Sequence, residues 1–112
     1  MKPQIPFADW SKLDIRVGKI LQVSDHPKAD KLFILEVDFG QLGKRTIVAG
    51  LRKHYEKEEL ENKLAIFIIN LEPITLRGVK SDGMTLAAVS EDESVIAILE
   101  PNKDIELGSK VR

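Results

Sequence analysis

The chain has 112 residues, which is the length of one domain with a hydrophobic core large enough to fold without disulfide or metal cross-links. It contains no cysteine, so disulfides, thiolate zinc sites and thiol nucleophiles are excluded. Its formal net charge of −1 at pH 7 excludes a globally basic domain, so a nucleic acid would have to bind at a local patch.

The first half of the chain is predicted to form three β-strands. Residues 1–11 are expected to be an irregular lead-in. LDIRVGKILQV at 13–23 alternates apolar and polar residues, as a half-buried strand does, and Gly18 within it suggests a bulge or bend. The alternation places one set of apolar residues on the buried face, namely Leu13, Ile15, Val17, Leu21 and Val23. The breaker SDHPKAD at 24–30 precedes a second strand, KLFILEVDF, at 31–39. The turn GQLG then leads to a third strand, KRTIVAG, at 44–50.

The second half is predicted to start with a helix and to return to β-structure. HYEKEELENK is rich in helix formers and predicts two short helical turns that end near Asn62. KLAIFIINL at 63–71 is apolar on both faces, as expected for a central strand. The irregular segment NLEPITLRGVKSDGM at 70–84 leads to MTLAAVS and VIAILE, and residues from about 91 to 112 form a C-terminal extension.

This order of elements predicts an all-β fold of the OB class. We expect a five-stranded Greek-key barrel with a short helix between strands three and four. In an OB-fold, the loops that join strands one to two and four to five flank the binding face. Those loops are SDHPKAD and NLEPITLRGVKSDG, so the second of them is expected to lie where a ligand binds.

The sequence gives little indication of catalysis, and we expect no metal and no other cofactor. Neither His26 nor His54 lies in a recognisable nucleophile motif, and solvated or hydrogen-bonding structural roles suit both better. The alternative that two carboxylates from distant positions assemble into a catalytic acid–base pair is left open by the sequence. No stretch approaches the roughly 20 apolar residues of a membrane helix, and the N-terminus lacks an export signal. We therefore expect a cytoplasmic protein without a membrane partner.

Basic residues lie in or beside both loops and at the start of strand three. They are Lys28, Lys31, Lys44, Arg45, Arg77 and Lys80. On the barrel they could converge on one face and hold phosphates, or they could be the ordinary surface charge of such a protein. Stacking aromatics are scarce. Three phenylalanines could stack on bases, namely Phe33, Phe39 and Phe67, although Phe33 and Phe67 fit the core better. Recognition of a folded RNA by shape and backbone would need fewer aromatics.

Several segments follow one another in the order and spacing of a known family. They are LDIRVGKI, HPKADKLFILEVDFG, RTIVAGL, YEKEEL, NLEPITLRGVKSDGM and LAA, within roughly residues 10 to 112. Together they resemble the OB-fold tRNA-binding domain at the C-terminus of many methionyl-tRNA synthetases and in free-standing tRNA-binding proteins. A chaperone-like OB family shares the opening LDIR-G-I but typically lacks the HP-ADKL segment that is present here.

The resemblance implies a single tRNA-binding domain over residues 1–112 that is not itself catalytic. It would be the β-subunit or C-terminal domain of methionyl-tRNA synthetase. It would raise the affinity of the synthetase for tRNA by binding the outer corner of the L-shaped tRNA, largely through contacts with the RNA backbone. It would form a homodimer through VIAILEP and the tail IELGSKV, and could bind the synthetase's catalytic chain. The alternative is a chaperone-like or scaffold OB-fold protein that binds peptides or a synthetase partner.

The resemblance also implies which residues contact tRNA. They are Lys31, Arg45, Asn70, Arg77, Ser81 and Met84, to which Lys80 is added on position alone. The basic side chains would contact phosphates, the amide and hydroxyl would hydrogen-bond phosphate, sugar or base edges, and the methionine would pack against a base or ribose. Met84 could instead start a core strand, and Asn70 could instead bond its backbone surroundings.

Three residues depart from the family pattern. Glu72 stands where Lys is common, which removes a positive charge and lowers the expected affinity. Ala49 replaces a usual Ser and with it one hydrogen-bonding group. Lys57 replaces the Pro that often starts the short helix, a change expected to be nearly neutral.

Overall fold

The computed structural model describes all residues, 1–112, as strands joined by short loops and two helical turns. The strands are β1 Ile15–Asp25, β2 Phe33–Asp38, β3 Lys44–Ala49, β4 Leu64–Ile68, β5 Ile74–Leu76, β6 Val79–Ser81, β7 Met84–Thr85, β8 Ala87–Val89 and β9 Ile96–Ile98. The α-helices are α1 Phe7–Trp10 and α2 Lys57–Leu60, and a 3₁₀ turn spans Gly40–Leu42. No helix is both long and apolar enough to cross a membrane.

Five strands form one antiparallel sheet in the order β3-β2-β1-β4-β7, and β5-β6 and β8-β9 are separate hairpins. The sheet curls so that β7 approaches β3, and the end of β6 also packs against β3. There, the Asp82 N–H donates to the Thr46 carbonyl over 2.9 Å, and the Val48 N–H donates to the Ser81 hydroxyl over 2.9 Å. The predicted OB-type barrel, with a helix between strands three and four, is confirmed.

Strand β1 pairs with both β2 and β4, and it bends to do so. Its register with β2 shifts between Ile20 and Gln22, so that Ile20 and Val23 are both buried in the core while Leu21 and Gln22 are both exposed. The sequence pattern placed Leu21 on the buried face, and this was wrong because Leu21 lies in the bulge. Gly18 precedes the bulge in the same strand and has a different function, which is to leave room for the Phe39 ring.

The barrel interior is filled by aliphatic and phenylalanine side chains. Phe33, Leu35 and Val37 are buried on one face of β2, as the alternation predicts. Phe39 and Phe67 are fully buried and meet edge to face, with ring centroids 5.4 Å apart. Because these phenylalanines are all in the core, none of them can stack on a nucleic-acid base.

Two segments that were expected to be irregular have regular structure. Residues 7–10 of the lead-in form the single turn α1. Within the segment 70–84, β5 and β6 form a tight hairpin. The expected strand MTLAAVS is divided into β7, which pairs with β4, and β8, which pairs with β9.

Helix α2 begins at Lys57, the position at which the sequence departs from a usual proline. A capping box closes its N-terminus, where the Glu59 carboxylate accepts the Glu56 N–H over 2.8 Å. The Lys57 ammonium lies 3.4 Å from the Asp25 carboxylate, and Leu60 is buried against the core. The helix start is therefore fixed without proline.

The β8–β9 turn is held by the Asp92 carboxylate, which accepts bonds from the Ser94 hydroxyl (2.7 Å), the Ser94 N–H (3.1 Å) and the Ser90 hydroxyl (2.9 Å). These bonds, above all that from the Ser94 hydroxyl, lower the pKa of Asp92 below its ordinary value. Since the folded pKa is the lower one, the bonds stabilise the turn above the unfolded value of about 3.9 and are lost as pH falls through the folded pKa.

We therefore expect acid to loosen this turn before it unfolds the barrel. The Val95 N–H, which donates to the Ser90 hydroxyl over 2.9 Å, reports on the turn. Its NMR resonance should titrate with a midpoint below the ordinary carboxyl pKa, in the direction of the lowered pKa of Asp92. The Asp92→Asn variant should lose this titration, and an unchanged titration in the variant would assign it to another group.

Candidate functional site

The β5–β6 hairpin turns at Arg77 and Gly78, and both residues have positive φ angles, 49° and 87°. That combination defines a type I′ turn, for which Asn-Gly and Asp-Gly are the preferred pairs. Glycine adopts this backbone freely, whereas an ordinary L-residue loses about 1–2 kcal/mol. A strained arginine at the tip of an exposed hairpin makes its side chain a candidate for a functional contact.

The two faces of the hairpin carry different side chains. Ile74 lies opposite Ser81 and Leu76 opposite Val79 on the face toward the barrel, and the remaining pair is Thr75 with Lys80. Lys80 is exposed on the outer face, and Arg77 is exposed at the tip. Neither cation forms a salt bridge, so both are available to an external anion.

His26 ties the first loop to this hairpin. Its ring is 2% exposed, and Nε2 lies 2.8 Å from the Leu76 carbonyl. Nδ1 accepts the Lys28 N–H over 3.0 Å, so the proton must be on Nε2, which donates to Leu76. His26 has the structural hydrogen-bonding role that its sequence context favoured, and it joins the two loops that flank the predicted binding face.

Arg52 fixes the first loop from the other side, and no sequence pattern singles it out. Its guanidinium donates to the carbonyls of Ala29 over 3.2 Å and His26 over 3.4 Å. It also lies 3.4 Å from the Asp25 carboxylate. These partners are far from Arg52 along the chain, so only the fold reveals the contact.

Ser81 and Arg45 lie at the seam where β6 meets β3. The Ser81 hydroxyl is buried, accepts the Val48 N–H and donates to the Gly83 carbonyl over 3.1 Å. Arg45 is half-buried, donates to the Ile69 carbonyl over 2.5 Å and lies 3.6 Å from the Asp82 carboxylate. Both side chains therefore help to close the barrel beneath the hairpin.

Asn70 joins the end of β4 to the chain before β1. Its Oδ1 accepts the Asp14 N–H over 2.8 Å, and its Nδ2 donates to the Lys12 carbonyl over 2.6 Å. Both ends of the amide thus have backbone partners, which is the structural alternative that the sequence left open.

Lys31 is exposed in the first loop and lines a different groove from the hairpin residues. This open groove of about 520 Å³ lies between the first loop and the β8–β9 hairpin and also includes Lys53 and His54. Neither lysine forms a salt bridge. Lys53 is a second free cation that sequence reasoning did not select, because a single exposed lysine after a strand carries no distinctive signal.

Met84 begins β7, where it pairs with Ile68, and it also faces the surface with 47% of its area exposed. It lines an open groove of about 650 Å³ between the inner face of the hairpin and the barrel. The groove is mainly aliphatic, and its lining residues are Val48, Leu71, Glu72, Ile74, Leu76, Ser81, Gly83 and Met84. Glu72 is the charged residue among them.

The hairpin therefore combines two features that suit a single-stranded or looped nucleic acid. Free cations at the tip and on the outer face can bind phosphates. The apolar groove on the inner face can receive a base or a ribose. Of the sequence-predicted residues, Arg77 and Lys80 lie in this hairpin and Met84 lies beside it. Lys31 lies in the neighbouring groove. The others, Arg45, Asn70 and Ser81, form hydrogen bonds to backbone groups of the barrel and its loops.

We expect His26→Ala to release the hairpin from the first loop. The substitution leaves the buried Leu76 carbonyl and the Lys28 N–H without their partner, which should lower the free energy of unfolding by about 1–3 kcal/mol. Urea denaturation measures this loss, and hydrogen exchange should locate it in the hairpin. The matched control is His54→Ala, because His54 is half-buried and makes no side-chain hydrogen bond. Equal losses of unfolding free energy in both variants would contradict the stabilising role of the His26 hydrogen bonds.

Comparison with known proteins identifies relatives in archaea and bacteria. Residues 15–110 match the family described as "Putative tRNA binding domain". The methionine–tRNA ligase of Pyrococcus horikoshii is 56% identical over 108 residues, which are 96% of this chain and 14% of that protein. That of Nanoarchaeum equitans is 52% identical over 108 residues, with the same coverage of 96% and 14%. The chain thus spans 14% of the length of these relatives.

Solved structures share the whole fold. A MetRS-related protein from Pyrococcus horikoshii superposes with a TM-score of 0.92 at 32% identity, over 99% of this chain and 100% of that one. The chaperone CsaA of Bacillus anthracis gives 0.88 at 29% identity, over 98% and 100%. CsaA of Picrophilus torridus gives 0.88 at 34%, over 97% and 100%. By its family match and these relatives, the chain belongs to the tRNA-binding domain family related to methionine–tRNA ligase and CsaA.

Proposed function

We propose that this chain is a non-catalytic module that binds tRNA for methionyl-tRNA synthetase, as its β-subunit or C-terminal domain. Family membership supports tRNA as the ligand. The observation that carries the proposal is the hairpin tip, where a strained Arg77 and the outward Lys80 stand free of any ion pair. In this role the module increases the affinity of the synthetase for tRNA, and it acts in the cytoplasm.

The contacts are mainly to the RNA backbone at the outer corner of the L-shaped tRNA. Lys31, Arg77 and Lys80 bind phosphates, and Met84 packs against a base or a ribose beside the hairpin. Lys53 shares the groove of Lys31 and adds a further phosphate contact.

In the proposed module, three of the predicted residues shape the site, and these are Arg45, Asn70 and Ser81. Their polar side-chain atoms form hydrogen bonds with backbone carbonyl and N–H groups of the protein. These side chains hold the hairpin and the seam in the conformation that presents the exposed residues.

The proposed module works as a homodimer and associates with the catalytic chain of the synthetase. Val95, Leu99 and Ile105 lie in or near the segments VIAILEP and IELGSKV and are 59%, 41% and 47% exposed. An exposed apolar surface of this kind suits a two-fold interface between identical subunits. Sedimentation at micromolar concentration tests this, and a monomer there would exclude the dimer.

A filter-binding titration tests the main proposal. Folded tRNA, an unrelated hairpin RNA and a DNA duplex are compared at two salt concentrations. We expect tRNA to bind best, and its affinity to fall steeply with salt because phosphate contacts release counterions. Equal affinity for all three ligands, or none for tRNA, would overturn the proposal. Aminoacylation by the synthetase's catalytic chain, with and without the module, tests the accessory role.

A chaperone-like or scaffold role is the second candidate. It is favoured by the aliphatic groove of about 650 Å³ and by the close structural likeness to the chaperone CsaA. This role predicts that labelled apolar peptides bind in the groove and that tRNA does not displace them. Displacement by tRNA at low salt would favour the RNA-binding role.

A further inference from the structure

We infer that the groove beside Glu72 receives an unpaired guanine base and that Glu72 makes the module prefer guanine at this position. This inference rests on the proposed function, because it names the base that the tRNA-binding surface reads. It assigns a specificity to a residue whose charge would otherwise only repel RNA.

The groove has the shape and chemistry of a base-binding slot. Its open volume of about 650 Å³ exceeds the size of one nucleobase, and its walls are aliphatic side chains from the hairpin and the barrel. Ile74 and Met84 are 57% and 47% exposed, so a flat base can cover them without any rearrangement of the core. Apolar walls of this kind hold the faces of an extruded base but do not distinguish one base from another.

Discrimination must come from polar groups of the lining, and among its side chains Glu72 supplies the polar group that is free. The Ser81 hydroxyl already accepts the Val48 N–H and donates to the Gly83 carbonyl. The Glu72 carboxylate is exposed and has no hydrogen-bond or ion-pair partner within the protein. It is an acceptor only, so it selects for an edge that carries donors.

Guanine fits this requirement better than the other bases. Its Watson–Crick edge presents the N1–H and an N2 amino hydrogen side by side, which match the two oxygens of one carboxylate. Adenine and cytosine offer one amino donor beside a ring-nitrogen acceptor that repels the carboxylate, and uracil has a single N–H between two carbonyls. A bidentate, charge-assisted pair is therefore possible with guanine alone.

The free cations nearby complete the charge pattern. Arg77 at the tip and Lys80 on the outer face can bind the phosphates of the strand that delivers the base, while the base turns into the groove on the inner face. Positive charge thus faces the backbone and negative charge faces the guanine edge. An apolar peptide side chain would use the apolar walls but would leave the carboxylate without a partner.

The test uses short single-stranded RNAs that differ in one base. Oligouridine with a central guanosine is compared with the same chain carrying central inosine, adenosine, cytidine or uridine, and binding to the whole protein is followed by fluorescence anisotropy at low salt. We expect guanosine to bind about 10-fold more tightly than adenosine, cytidine or uridine. Inosine, which lacks the N2 amino group, should fall in between.

The matched variants are Glu72→Gln and Glu58→Gln. Glu58 is an exposed carboxylate on α2, outside the groove. Glu72→Gln should abolish the guanosine preference, because an amide cannot accept on both sides, and should leave the melting temperature unchanged. Glu58→Gln should retain the preference. Affinity for the adenosine, cytidine and uridine RNAs should not fall in Glu72→Gln, since a negative charge has been removed.

Each other outcome overturns the inference. Equal binding of all oligonucleotides, no binding of any while tRNA still binds, or a preference that survives Glu72→Gln would show that Glu72 reads no guanine, and the tRNA-binding proposal would stand. Displacement of guanosine RNA only by an apolar peptide, with no effect of Glu72→Gln, would assign the groove to peptides. Failure to bind tRNA as well would remove the proposed function together with the inference.

Discussion

The double variant Arg77→Asn and Lys80→Gln is expected to bind tRNA about 10- to 100-fold more weakly at moderate salt, because two charge-assisted phosphate contacts are lost. The slope of log affinity against log salt concentration should also become smaller in magnitude by about 2, which is about 1 for each phosphate contact that is lost. Filter binding at a series of salt concentrations measures both quantities.

The same variant should not be destabilised, and this separates its effect on binding from any effect on folding. Arg77 occupies the first central position of a type I′ turn with φ of 49°. Arg77→Asn produces the preferred Asn-Gly pair and relieves the strained arginine, so the free energy of unfolding should rise by about 0.5–1 kcal/mol. Binding and stability thus change in opposite directions, which a general loss of structure cannot produce.

The control removes the same charge through Lys2→Gln and Lys103→Gln, two exposed lysines that lie outside the hairpin and outside the segments VIAILEP and IELGSKV. This pair should change tRNA affinity little beyond a small general charge effect. An equal loss in the control would mean that the net charge of the protein matters and that the hairpin is not the site of contact.

Much of the fold could be predicted because its main strands follow simple rules. The alternation in β2 and the continuous apolar run of β4 correctly indicated a half-buried and a central strand. The helix formers after β3 correctly indicated α2. Together with their order along the chain, these patterns were enough to identify the barrel.

The β5–β6 hairpin could not be predicted because its turn uses an atypical pair. Arg77-Gly78 lacks the asparagine or aspartate that normally marks a type I′ turn. The strands on either side are only three residues long, too short for an alternation to stand out. The sequence therefore selected the segment that carries the candidate site, but it did not predict the hairpin that presents the residues of that site.

The exposed and the bonded members of the candidate site could not be separated from the sequence either. Arg77 and Arg45 are both basic residues in or near a loop, but only Arg45 is bonded to the carbonyl of Ile69, 24 residues away along the chain. The partners of Asn70 and Arg52 are also distant along the chain. Such contacts depend on strand register and on loop packing, which a single sequence does not contain.

Gly18 is another residue whose role the sequence did not predict, and its packing leads to a prediction about the stability of the core. A glycine inside a strand suggests a bulge, whereas the structure gives it a packing function. A Cβ at this position would lie 2.6 Å from Phe39 Cε1 and 2.6 Å from Val37 Cγ1, which is far closer than carbon atoms pack. Both neighbours are fully buried, so neither can move without disturbing the core.

Gly18→Ala is therefore expected to lower the free energy of unfolding by about 1–3 kcal/mol through overpacking. Gly50→Ala is the matched control, because a methyl group at Gly50 would meet no atom within 4 Å and the residue has no positive φ angle. That control should change stability by less than about 1 kcal/mol, in either direction. Urea denaturation of both variants measures the difference.

A second substitution shows whether the clash with Phe39 is the cause. Phe39→Leu alone should be destabilising, since it removes the edge-to-face contact with Phe67 and leaves a gap in the core. In the Gly18→Ala background the smaller side chain makes room for the new methyl group, so the loss in the double variant should be about 1 kcal/mol less than the sum of the two single losses. Strictly additive losses would instead place the cost of Gly18→Ala in the strand backbone and not in its contact with the Phe39 ring.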